Sequence, residues 1–160
     1  MRPGQGIWRG RLWRDASRST DKHQLDTRFR RCNIPSAEWE VEYTDEFGTW
    51  FESLTEPEQE DIAAVVGALE RGGPALGRPY VDTVSGSRHA HMKELRVQHR
   101  GHPYRILFAF DPRRCAILLI GGDKTGNERW YEEHVPVADW LYDERLETLR
   151  REAQRRGGIG

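Results

Sequence analysis

The stretch MKELRVQHRGHPYRILFAFDPRRCAILLIGGDKTGNERWY, residues 92–131, decides the fold. Residues 92–97 and 103–110 alternate apolar and polar side chains, as half-buried strands do, and His99-Arg100-Gly101 between them predicts a hairpin. Asp111-Pro112-Arg113 turns the chain into a third strand ending at Ile120, followed by a loop over residues 121–127. Residues 106–110 and 115–120 are apolar on both faces, which places them in the middle of a sheet. Each strand also brings a fixed cation: Arg96, Arg105, and Lys124 just beyond the last one.

Working outward, residues 39–43 alternate aromatic or aliphatic with acidic side chains and predict a first strand. Thr44 is a suitable N-cap, with Asp45 and Glu46 where the helix dipole favours acids. Phe47, Trp50, Phe51 and Leu54 follow at helical spacing. A second helix starts at Thr55 with Pro57 in its first turn, carries Ile62, Val65, Val66 and Leu69 as its stripe, and stops at Gly72-Gly73-Pro74. Residues 77–90 read as a loop. Val135-Pro136-Val137 opens a last helical segment with Trp140, Leu141, Leu146 and Leu149. The predicted order is β-α-α-β-β-β-α, an α+β domain over residues 37–156. Its small, mostly antiparallel sheet has a helical hairpin on one face, and the other face is left for something else.

Residues 1–36 lack periodicity and predict a basic, disordered extension, with a nucleic-acid-touching arm as the lesser reading. The chain's formal charge of −1 conceals segregation: +6 over residues 1–36, −10 over 37–87, +5 over 88–131 and −2 over 132–160. A basic sheet segment beside an acidic one points to a phosphate-bearing partner. No apolar run is long enough for a membrane span and no secretory h-region opens the chain, so a cytoplasmic protein is expected. Of the two cysteines, Cys32 and Cys115, the latter reads as a small buried thiol in a strand.

Arg96 and Arg105 lie on adjacent strands. Guanidinium forks match phosphate oxygens, so two on one face would clamp a nucleic-acid backbone; the alternative is a salt bridge to Glu94 or to an acid on the helices. Lys93, Arg100 and Arg129 are further candidates for phosphate binding, although Lys93 alternates onto the core side. GGDKTG lacks P-loop spacing. His91 adjoins the basic strand and is a proton-transfer candidate. Tyr131 and Trp130 follow the lysine loop. No ligand spacing calls for a metal, and no cofactor is expected.

The runs ELR at residues 94–96, YRILFAF at 104–110 and LLIGGDKTGNERWY at 118–131 resemble HigB-type toxins of the RelE/ParE superfamily. The tail VPVADWLYDERLETL at 135–149 is similar to the actinobacterial branch. The resemblance covers about residues 39–154. It implies a RelE-like fold, a helix-turn-helix antitoxin of the HigA/XRE type as partner, and cleavage of mRNA on the ribosome without a metal. It also implies catalytic roles for Arg96, Arg105 and Lys124, with Tyr131 near the position of the family's aromatic acid-base residue. Two alternatives accompany it: a ParE-like gyrase poison without catalysis, and a non-enzymatic RNA-binding module.

Overall fold

The computed structural model describes residues 39–157 with their side chains, together with the backbone of residues 5–8. Strands β1 (Gln5–Trp8), β2 (Glu40–Thr44), β3 (Val81–Thr83), β4 (Lys93–His99), β5 (His102–Asp111) and β6 (Cys115–Asp123) form one sheet in the order β1-β2-β6-β5-β4-β3. The β2–β6 pair is parallel and every other pair antiparallel. Helices α1 (Asp45–Glu52), α2 (Glu56–Gly72) and α3 (Trp130–Gly157) complete the domain. This is the α+β, RelE-like arrangement, with the apolar β5 and β6 at its centre as their two-sided burial requires.

Local chemistry explains the junctions. The Thr44 hydroxyl accepts from the Phe47 N–H at 3.1 Å, capping α1, and donates to the Leu119 carbonyl at 2.7 Å. Leu119 is the extra residue of a β-bulge, because Leu107 pairs with Ile120 while Phe108 pairs with Leu118. At α2 a capping box joins Thr55 and Glu58, satisfying two of the helix's orphan N–H groups. The β4–β5 hairpin closes through Arg100 (φ 49°) and Gly101 (φ 83°), between the paired His99 and His102. Positive φ at both central residues matches the right-handed strand twist.

Two apolar layers sandwich the sheet. Phe47, Phe51, Ile62, Val66 and Leu69 of α1 and α2 pack on Val41, Leu95, Ile106, Phe108 and Leu118. On the reverse side Trp130, Val135, Ala138, Leu141 and Tyr142 of α3 cover Leu107, Ala109, Ile117 and Leu119. The face left for something else is thus largely covered by α3. That helix is continuous over 28 residues, with Pro136 inside it rather than starting a new segment. Burial on one side outweighs the single N–H that proline removes.

Two strands were not anticipated. β3 lies within the segment read as a loop, since three residues carry too little periodicity to register. β1 pairs with β2 from Gln5↔Thr44 to Trp8↔Val41, recruiting part of the segment read as an extension. The expectation of disorder for the rest of residues 1–36 falls outside the described residues, as does Cys32. No helix among the described residues is long and apolar enough to cross a membrane.

Cys115 is 2 % exposed, and burial, reinforced by nearby Glu42 and Asp111, pushes its thiol up to about 12. Thiolate, not thiol, is the nucleophile. In a Cys32→Ser variant, alkylation of native Cys115 near neutral pH is therefore expected to run at least about a hundredfold slower than in the unfolded chain. Comparable rates by mass spectrometry would refute this.

Candidate active site

Arg96 and Arg105 are direct cross-strand partners in the β4–β5 register. Glu94, Arg96 and Arg105 share the α3 side of the sheet, because Glu94 pairs with Leu107 and side chains alternate in a strand. Like charges directly opposite repel. Here a carboxylate resolves the conflict. Glu94 is only 3 % exposed; its Oε2 accepts from Arg96 Nε at 2.9 Å, and its Oε1 lies 3.9 Å from Arg105 Nε. Asp82, opposite Glu94 on β3, approaches Arg96 at 3.8 Å. The Glu94 hydrogen bond holds Arg96 still more firmly in its charged form.

The first turn of α3 adds Tyr131, whose hydroxyl donates to Glu94 Oε1 at 2.7 Å. Burial and then this hydrogen bond raise the phenol above its usual range, opposed by the adjacent Arg105. Lys124 Nζ stands 5.6 Å from the Tyr131 ring centroid, a cation–π distance. Lys124 is held there because its backbone N–H donates to the Pro103 carbonyl at 2.8 Å. Arg105 donates from Nη1 to the Tyr104 carbonyl at 3.0 Å, whereas its buried Nε has no hydrogen-bond partner. Two guanidiniums and a phenol thus converge on one carboxylate, with Lys124 over the phenol ring and Arg96 still 37 % exposed.

The glycines before Lys124 are not a phosphate cradle. Gly121 and Gly122 belong to β6, and a Cβ on them would lie 2.4 Å from Trp50 Cζ3 and 2.7 Å from Trp130 Nε1 respectively. Each face of the sheet seats a tryptophan on a missing side chain. The Trp130 seat fixes the start of α3, and with it Tyr131.

The other candidates do not join the cluster. Lys93 pairs with Phe108 and faces the helical hairpin. His91 is exposed in the turn before β4, and Arg100 is exposed at the hairpin tip. Arg129 pairs with Glu132 at 2.9 Å. Much of the remaining positive charge of residues 88–131 is also spoken for: Arg113 binds Asp111 and Glu42, Arg88 binds Asp143, and Arg114 lies 4.4 Å over the Trp39 ring. Of the broad basic face inferred from charge counting, Arg96, Arg105 and Lys124 gather at this site, while Arg100 stays exposed at the hairpin tip. Glu94 was legible only as a salt-bridge partner; its spacing two residues before Arg96 on a strand was the signal that it shares the site.

Among the described residues Glu40, Glu42 and Cys115 bring potential metal-ligand atoms within 4.8 Å of one another. Glu42 is already held by Arg113 and by the buried Arg145, and Cys115 keeps its proton, so these groups fit an internal ion network better than a metal.

Residues 49–143 match the family model described as phage derived protein Gp49-like. Two relatives from Mycobacterium tuberculosis are both named as toxins. HigB3 is 48% identical over 101 residues, covering 59% of this chain and 87% of the relative. HigB2 is 46% identical over 104 residues, covering 64% of this chain and 52% of the relative, so the chain spans about half of that protein. No solved structure gives a significant match. With the family model spanning more than half of the chain and nearly all of one toxin matched, the chain belongs to the Gp49-like family and, within it, to the HigB-type toxins.

Proposed function

We propose that this HigB-type toxin is a cytoplasmic, metal-independent endoribonuclease that cleaves ribosome-bound mRNA, and that a helix-turn-helix antitoxin of the HigA/XRE type neutralises it. The observation that carries this reading is the cross-strand Arg96–Arg105 pair gathered with Tyr131 around Glu94, with Lys124 over the Tyr131 ring. RNA supplies its own nucleophile, the 2′-hydroxyl beside each phosphate. A protein needs only to hold that group in line, offset the charge growing on the phosphoryl oxygens, and manage two protons. Fixed guanidiniums suit the second task, and a phenol suits the third.

The test is purified protein incubated with translating ribosomes and a defined mRNA. Cleavage leaving a 2′,3′-cyclic phosphate and a 5′-hydroxyl, and persisting after EDTA treatment with ribosomes kept intact by polyamines, is the expected result. Intact mRNA under conditions where expression still arrests growth would leave the reading without support.

A further inference from the structure

We propose that Glu94 is a positioning residue of this cleavage reaction, turning Tyr131 into a proton acceptor for the attacking 2′-hydroxyl. The inference deepens the ribonuclease reading and rests on it. A phenol has one proton and two lone pairs. Tyr131 commits its proton to Glu94 Oε1 at 2.7 Å, so its oxygen presents lone pairs alone to any group arriving from elsewhere. A 2′-hydroxyl next to a phosphate held by Arg96 and Arg105 would meet an acceptor.

The relay balances. The 2′-oxygen forms its bond to phosphorus as its proton passes to the Tyr131 oxygen, and the Tyr131 proton passes to Glu94. The bond from phosphorus to the 5′-oxygen breaks, and that oxygen takes a proton from water. Glu94 then returns its proton to solvent. All groups facing the carboxylate bear on the step: Arg96 from β4, Arg105 from β5 and Tyr131 from α3, with Lys124 beside the Tyr131 ring and Asp82 of β3 beside Arg96. Arg96 and Arg105 both pair with the resting carboxylate.

The experiment compares the full-length wild type, Glu94→Gln, Glu94→Asp, Tyr131→Phe and the Glu94→Gln, Tyr131→Phe double variant on ribosome-bound mRNA across pH. Glutamine keeps the shape and can accept the phenol's hydrogen bond, but it does not take the proton. Glu94→Gln is expected to lower kcat about a hundredfold, in the range general-base catalysis supplies, with KM little changed. The acidic limb of the pH–rate profile should disappear with it. Tyr131→Phe should lose a similar factor, and the double variant should lose no more than either single one, because the two residues act in one relay. Glu94→Asp should recover part of the rate, which separates proton transfer from a role in folding alone. An active wild type with an unchanged rate and acidic limb in Glu94→Gln would overturn the proposal, as would losses that multiply in the double variant. A wild type that cleaves nothing would overturn the ribonuclease reading itself, a different outcome from these.

Discussion

Alanine at both Arg96 and Arg105 is expected to abolish growth inhibition and ribosome-dependent cleavage while leaving a folded protein. Removing one donor from a transition-state clamp costs roughly 3 kcal/mol, about a hundredfold in rate. The two arginines share Glu94, so their losses are coupled and the double variant should fall between about a hundredfold and ten-thousandfold. Stability should suffer much less. The pair lies side by side with like charge, and truncation removes that repulsion. Against it stands a buried carboxylate that loses one close partner and one distant one while keeping the Tyr131 hydrogen bond, at about 3 kcal/mol. A fall in Tm of on the order of 5–10 °C, with retained antitoxin binding, is the expected profile for a domain of this size. Growth arrest at wild-type strength by the double variant would remove the arginines from catalysis and put the gyrase-poison alternative ahead.

Substitution of Gly121 or Gly122 by alanine should have the largest effect on folding. A methyl at Gly121 would sit 2.4 Å from the Trp50 ring, and one at Gly122 would sit 2.7 Å from Trp130 Nε1. Both glycines are buried in β6, against indoles that are themselves packed, so neither neighbour can retreat freely. Overpacking of this kind costs about 1–3 kcal/mol and occasionally more. At 2–4 °C per kcal/mol, a drop in Tm of roughly 10 °C is expected for each. The two variants should differ in function. Gly121→Ala disturbs the α1 side and should spare residual cleavage in the folded fraction. Gly122→Ala displaces Trp130, hence Tyr131, and should reduce cleavage per folded molecule as well. Equal specific activities in the two would show that the Trp130 seat does not set the position of Tyr131.

Periodicity alone determined a good deal about this protein. The two-sided apolar pattern of residues 106–110 and 115–120 placed β5 and β6 centrally, and Thr44 and Thr55 marked the starts of α1 and α2. Such features are local: a cap, a stripe or an alternation is written within a few residues of the element it governs. The nearness of Arg96 and Arg105 was legible too, because a tight hairpin fixes register.

Tertiary structure decided what depended on distant partners. Only packing shows that α3 covers the second face, since an amphipathic helix does not name the surface it will bury. Only the sheet assigns Gly121 and Gly122 to two tryptophans lying 71 and 8 residues away in sequence. Charge counting overstated the basic surface because a charge total carries no pairing: Arg88, Arg113 and Arg129 answer to acids that the fold delivers. Glu94 read only as a salt-bridge partner for the arginines. Its role emerges where β4, β5 and the first turn of α3 bring two guanidiniums and a phenol onto a carboxylate removed from water, and burial is a property no single stretch of sequence contains.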